Sequence, residues 1–346
     1  MKKHIPIAVF SLLFVWLVAC PVWAQQERIE QVLSLGLEDA QKIFEAYNAP
    51  LGRTIGFAMS DGWHETAQPL KRWQTNFRFV QSSVVYPAYE QKYNLIDLNL
   101  KNAVVIAGDS SAPTAIGERG DLSILRNRLN DSLVFLPKGL GLIYKQYAFF
   151  PAVYPQFNIG LFRNTELSVR FLPNVVPLIT PFVSDIPENI SMSYWGVGLM
   201  HDLKQWIPSI ALAPFSLSVW GSYSSAKMSY PLKLTSLGPQ DPRNQLLRYE
   251  VKAYSLGAVA SKKIAFLTVF GGLQYDKSIS TNRLEGTYKV GEEIISNPLE
   301  QTYEGQRIAG NLGAKIRFKQ TFVMASAVFS QYTTLSVAIG FGSNNP

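Results

Sequence analysis

From Arg307 to Lys319 the chain alternates without interruption. Ile308, Gly310, Leu312, Ala314, Ile316 and Phe318 take one side, and Arg307, Asn311, Lys315, Arg317 and Lys319 the other. Successive side chains of a strand point to opposite faces, so this run has one apolar face and one basic face. The pattern returns in Thr333–Phe341, in Trp73, Phe77 and Phe79 against Gln74, Asn76 and Arg78, and in Leu167, Val169 and Phe171 against Glu166, Ser168 and Arg170. It also appears in Ile96, Leu98 and Leu100 against Asp97, Asn99 and Lys101, and in Leu247, Tyr249 and Val251 against Arg248, Glu250 and Lys252. Soluble sandwiches alternate too. Their strands average about 5–6 residues, however, and several runs here are about twice that. Charged residues make up only 16% of the chain, against about 25% in ordinary soluble domains.

The chain opens with Met1-Lys2-Lys3-His4, continues with an apolar stretch from Ile5 to Ala19, and reaches Pro21-Val22-Trp23-Ala24. This pattern is a signal peptide over residues 1–24, with cleavage after Ala24. Leu17-Val18-Ala19-Cys20 offers a second reading, acylation of Cys20 as the mature N-terminus. After residue 24 no apolar run approaches the ~20 residues of a membrane helix. An exported chain of long alternating strands is expected to be an all-β protein, an antiparallel transmembrane β-barrel in the outer membrane.

Strands are expected near 53–60, 72–86, 93–106, 155–163, 165–173, 190–203, 209–223, 246–261, 263–276, 306–319, 321–330 and 333–342. Short connections alternate with long ones, the outer-membrane pattern. The reading gives about 12 strands, with 14 as the alternative if Leu133–Leu136 and Leu142–Phe149 form a further hairpin. Both termini then lie in the periplasm. Residues 53–346 form the barrel. Trp73, Tyr86, Tyr89, Tyr93, Trp206, Tyr223, Tyr230, Tyr275 and Tyr332 stand near strand ends, where aromatic rings suit the membrane interface.

Residues 25–52 differ. Ile29, Val32, Leu33, Leu37, Ile43, Phe44 and Tyr47 recur every three to four positions, with Gly36 as a break and Pro50 and Gly52 as the end. Two short amphipathic helices fit this spacing. The stretch is acidic, whereas the faces assigned to the lumen are basic. The lumen candidates are Arg78, Asp97, Lys101, Glu166, Arg170, Arg248, Glu250, Lys252, Arg307, Lys315 and Arg317. Glu30, Glu38, Asp39 and Glu45 are the candidates for docking this segment in the barrel as a plug or periplasmic latch. A solvated helix covering the barrel mouth is the other reading.

Several motifs carry a family resemblance: Ala46-Tyr47 leading to Pro50-Leu51-Gly52, Gly62-Trp63 with Thr66-Ala67-Gln68-Pro69, Arg170-Phe171-Leu172-Pro173, and His201-Asp202-Leu203-Lys204-Gln205-Trp206-Ile207-Pro208. The chain resembles a family of exported β-barrel proteins of unknown function from Bacteroidota-type Gram-negative bacteria. More distantly, a helical start before a barrel is similar to the long-chain fatty-acid transporter family, whose N-terminus forms a hatch. The resemblance implies location and fold. Pro214, inside an expected strand, must sit where no ladder donor is needed.

The chain contains no phosphate loop, no G-x-S-x-G elbow, no dinucleotide fingerprint and no zinc spacing. Beyond the leader the histidines are His64 and His201. His201-Asp202 is a poor base–orienter pair on a strand, because neighbours point to opposite faces. No enzyme, catalytic residue, cofactor or metal is expected. The bases lie singly, so no nucleic acid is expected either. The expected partners are outer-membrane lipid, a small-molecule solute and, during biogenesis, the barrel assembly machinery. The expected function is a channel or transporter for small, including hydrophobic, solutes. A sealed structural or assembly barrel whose loops bind a partner is the alternative, and a soluble periplasmic β-protein a remoter one.

Overall fold

Strand alternation becomes a closed barrel in the computed structural model, which describes residues 26–120, 123–141, 143–144, 147–174, 190–232, 245–291 and 293–342. The signal peptide of residues 1–24, with Cys20, lies outside the described residues. The barrel strands are β1 (Thr75–Tyr86), β2 (Tyr147–Gly160), β3 (Thr165–Leu172), β4 (Ser191–Asp202), β5 (Ser216–Pro231), β6 (Leu246–Ile264), β7 (Leu267–Glu285), β8 (Leu299–Phe318), β9 (Thr321–Phe329) and β10 (Thr333–Gly342). Each pairs antiparallel with its neighbours in sequence. β1 closes the ring by pairing with β10, Asn76 opposite Gly342, and with β2, Asn76 opposite Asn158. Closure leaves no sheet edge to satisfy. A two-residue strand at Ile143–Tyr144 extends the hairpin into β2.

The barrel therefore has ten strands rather than twelve or fourteen. Residues 53–60 are helical, not extended. Residues 93–106 are split between small sheets in the long β1–β2 connection. There Lys92–Asn94 pairs with Ser111–Pro113, and Ala103–Gly108 with Ser123–Asn127. Leu133–Phe135 joins the second of these sheets and adds no barrel hairpin. β5 begins at Ser216, so Pro214 precedes it and no ladder donor is lost.

Connections at 161–164, 203–215, 265–266 and 319–320 share one end of the barrel with the close of β10. Those at 87–146, 173–190, 232–245, 286–298 and 330–332 share the other. We call these the turn end and the loop end. Across the outer surface runs an apolar band. On β8 it comprises Ile308, Leu312, Ile316 and Phe318, and on β10 Leu335, Val337, Ile339 and Phe341, all exposed. Residues 308–318 match the ~9–11 residues a tilted strand needs to cross a bilayer. Above the band, toward the loop end, the surface turns charged, with Lys277–Glu304 at 3.0 Å and Arg283–Glu300 at 2.7 Å. Rings line the boundary: Trp195 meets Tyr223 at 5.3 Å, and Tyr223 meets Tyr254 at 5.0 Å. Of the expected interface aromatics, Trp73, Trp206 and Tyr275 are exposed on the outside, whereas Tyr86, Tyr230 and Tyr332 are buried.

Two helices precede the strands, α1 (Gln26–Leu33) and α2 (Leu37–Ser60), broken as expected at Gly36, whose φ is 90°. α2 does not stop at Pro50 and Gly52. Proline removes one helical hydrogen bond and normally costs about 3 kcal/mol. Inside a barrel, however, a helix satisfies its own backbone groups where little water is available to do so. Thr54 Oγ1 also donates to the Pro50 carbonyl at 2.8 Å. No helix among the described residues is long and apolar enough to cross a membrane.

Candidate functional site: the plugged lumen and its basic mouth

α2 descends through the barrel, and its wall contacts track the descent. Near the loop end, Tyr303 Oη donates to the Phe44 carbonyl at 3.4 Å. Further down, Ser278 Oγ donates to the Gly52 carbonyl at 3.3 Å. The helix lies almost against β7 here. A Cβ on Gly52 would fall 1.9 Å from Ser280 Oγ, and one on Gly56 1.8 Å from Ser278 Oγ. Two glycines one turn apart let the backbone approach that closely.

Below Ser60 the chain leaves the helix and enters a polar network. Arg307 donates to Asp61 Oδ2 at 2.6 Å and to Asp276 Oδ2 at 2.7 Å. Gln274 Nε2 reaches Asp61 Oδ1 at 2.9 Å. Four residues on, Glu65 accepts from Arg78, and from Lys315 at 3.1 Å. Arg78 Nη2 also donates to the Trp63 carbonyl at 2.5 Å. The Arg170 guanidinium lies 3.9 Å from the Trp63 ring centroid and donates to the Asp61 carbonyl at 2.9 Å. Arg78 and Arg170 are both fully buried. Each cation is paired or caged, as buried charges must be. Residues 61–66 therefore stopper the lumen by ionic and amide contacts, and Trp63 joins Val80, Met200, Trp220 and Phe270 in a buried apolar cluster. The His64 ring lies tilted against Trp220, centroids 4.9 Å apart.

Beneath this stopper a vestibule of about 710 Å³ opens at the turn end. Thr66, Gln68 and Lys315 form part of its lining, together with Ser216 and Ser261 from the wall. An adjoining void bordered by Glu65, Asn76 and Glu166 holds about 10 Å³, roughly the space of one water.

The sequence-predicted residues separate into groups. Arg78, Glu166, Arg170, Arg307 and Lys315 are buried in the lumen, and Arg317 lines its mouth. Arg248, Glu250 and Lys252 do not face the lumen, which corrects the expectation. Tyr249, Val251 and Ala253 point inward instead. This part of β6 rises above the apolar band, so its outer face meets water and carries Glu250 with Lys227 at 3.6 Å. Asp97 and Lys101 also lie outside the lumen, exposed in the loop-end connection. The acids of residues 25–52 likewise miss the lumen. Glu45 is exposed and Glu30 is half-buried on α1. Asp39 is buried and accepts from the Lys101 and Asn102 amides at 2.9 and 2.7 Å. Glu38 pairs with Lys101 at 2.6 Å and Lys42 at 3.1 Å. The Lys101 hydrogen bond, then that of Lys42, holds the Glu38 carboxyl below its ordinary value. The acids that do answer the basic lumen are Asp276 on β7, paired with Arg307, and Asp61 and Glu65, which lie in a stretch without periodicity just before β1. The signal for them was the charge imbalance of the lumen itself.

His201 is not oriented by Asp202. Its Nδ1 lies 2.8 Å from Thr165 Oγ1, and Trp206 Nε1 donates to its Nε2 at 2.8 Å. Asp202 instead accepts the Lys204 amide at 2.9 Å. The His201–Pro208 run thus builds a connection at the turn end.

Fold and site together define a ten-stranded up-and-down barrel stoppered by its own N-terminal segment. The chain belongs to a family of unknown function (DUF6588), whose description matches residues 1–343. Among solved structures it is similar to the translocator domain of the autotransporter NalP from Neisseria meningitidis, at 12% identity and a TM-score of 0.31, covering 80% of this chain and 90% of that one. It is also similar to the attachment invasion locus protein Ail of Yersinia pestis, at 8% identity and a TM-score of 0.28, covering 78% and 97%. A third is the toluene transporter TbuX of Ralstonia pickettii, at 6% identity and a TM-score of 0.22, covering 81% and 91%. No curated protein matches the chain.

Proposed function

We propose that the protein is an outer-membrane barrel that admits or binds a small solute, its lumen held shut by its own N-terminal segment. The stopper at residues 61–66 carries this reading. It is held to the wall at membrane depth by ion pairs around Asp61 and Glu65 together with the buried Trp63 ring, and the ionic part can be replaced by water or a charged solute that reaches the lumen. The apolar band with its ring border supports contact with outer-membrane lipid, and such a barrel would be inserted by the assembly machinery. In this orientation the turn end faces the periplasm and the loop end faces outward. The N-terminal segment then enters from the outer side, not as a periplasmic latch.

A second reading has its own observation. The loop end is closed by a folded cap in which Val32, Leu33 and Ile43 pack on Leu125, Val134 and Val290. Such a cap suits a sealed barrel that presents its loops to a partner. Planar-bilayer recording separates the two. The wild-type barrel is expected to be silent, and the Asp61→Asn, Glu65→Gln double variant to conduct in discrete steps. A variant that keeps heat-modifiable gel mobility yet stays silent would sink the passage of a solute through the lumen and leave the sealed barrel.

A further inference from the structure

Many bases on the barrel strands have an acid beside them. Arg307 has Asp61 and Asp276, Arg78 has Glu65, and Lys277 and Arg283 have Glu304 and Glu300. The vestibule at the turn end breaks that rule. Lys204, Lys263, Lys315, Arg317 and Lys319 all line it, and no Asp or Glu does. Lys315, buried at the inner end, is shared with Glu65, whose charge Arg317 also meets, and Lys204 Nζ donates to the Ala213 carbonyl at 2.6 Å. Lys263 and Lys319 have no acid partner among the described residues.

We propose that this vestibule binds a small solute carrying two or more negative charges. Cations gathered round one cavity repel each other unless an anion is present, and low-dielectric walls strengthen the field inside. Its volume of about 710 Å³ lies in the range of small-molecule sites. Thr66 and Ser261, whose hydroxyls share a hydrogen bond at 3.0 Å, leave one hydroxyl proton between them, and Thr268 adds a further hydroxyl to the lining. Two tight turns set the rim. Lys263 precedes the two-residue turn at 265–266 and Lys319 lies in the one at 319–320, with Ala265 and Lys319 at φ of 54° and 53°. The distant likeness to fatty-acid transporters suggests an apolar cargo, whereas this lining favours a multivalent anion. The site does not require the lumen ever to open, so it stands apart from the gating question.

Isothermal titration calorimetry of the full chain in nonionic detergent tests it, with citrate and inorganic pyrophosphate as probes at low ionic strength. Saturable binding of at least one probe is expected. The Lys263→Gln, Lys319→Gln double variant should bind about tenfold more weakly, and Lys277→Gln, on the outer surface, should bind like wild type. Both rim residues are exposed and heat-modifiable mobility reports whether the double variant folds. The proposal is overturned if neither probe binds saturably, or if the double variant binds as tightly as wild type.

Discussion

The two ends of the plug are held by different mixtures of forces, the loop end by apolar packing and the stopper by ion pairs beside the buried Trp63 ring. At the loop end, α1 and the start of α2 bury Ile29, Val32, Leu33 and Phe44 in an apolar core with loop residues such as Leu136 and Tyr288. At membrane depth the same chain is held by Arg78, Arg170, Arg307 and Lys315 around Asp61 and Glu65. The contrast follows from the surroundings. The loops stand in water, where burying apolar surface drives folding. The barrel wall spends much of its apolar surface on the outside, and its inner face mixes Ser, Asn, Gln and charged residues with apolar ones such as Val80, Met200 and Phe270. An ion-paired contact in a polar lumen can be exchanged for water or a solute, whereas an apolar cap cannot. The cap is therefore the fixed end and the stopper the end that can yield.

Leu33→Ala attacks the fixed end and should have the largest effect. Leu33 is fully buried, and such truncations cost about 2–5 kcal/mol. Limited proteolysis should cut the 87–146 connection far faster, while the barrel keeps its heat-modifiable mobility. If barrel and cap instead melt together, they are one cooperative unit and the division into two anchors is wrong.

Gly56→Ala attacks the middle of the plug, with a smaller cost of about 1–3 kcal/mol for overpacking. The added methyl would meet Ser278 Oγ at 1.8 Å and Ser278 Cβ at 2.3 Å. Helix displacement should appear as faster amide exchange in α2 with the cap unaffected. Ser278→Gly in the same chain removes both atoms and should restore slow exchange. Failure of that rescue would place the cost in the helix itself and not in its approach to β7.

The strands of this barrel were legible because most alternate over lengths that only an extended chain explains, as in 307–319 and 333–341. What period two does not reveal is which face is inside. On β8 the charged face is the inner one. At Arg248, Glu250 and Lys252 it is the outer one, because β6 starts at the loop end and has not yet entered the apolar band there. Residues 53–60 misled for a related reason. Ile55, Phe57 and Met59 alternate over too few positions to exclude a helix, and a helix enclosed on all sides need show no polar stripe. The paired glycines at 52 and 56 were the better sign, since their spacing matches a helix turn. The stopper residues had no periodicity to betray them. Asp61 and Glu65 become visible only when the cations of the lumen are asked what neutralises them.

The smallest expected effect tests whether the charged pairs of the cap matter beside its apolar core. Glu38 sits in the first turn of α2, half-exposed, bridging Lys42 and Lys101. Its carboxyl is held below the ordinary value of 4.5, chiefly by the Lys101 hydrogen bond. A carboxylate lowered on folding adds stability above its unfolded value and loses it as pH falls through the folded one. The bridge should therefore tie residues 95–102 to α2 at neutral pH and release them as the solution is acidified below 4.5. Exposure to solvent keeps the contribution small, so amide exchange within that loop is a better readout than global melting. Glu38→Gln should raise exchange slightly at pH 7 and match wild type once Glu38 is protonated. Should the difference instead persist unchanged through acidification, the charge on Glu38 is not its source. The Asp39 carboxylate, buried and bound to the Lys101 and Asn102 amides, would then hold this loop with the apolar core, and the cap would owe nothing to its surface charge.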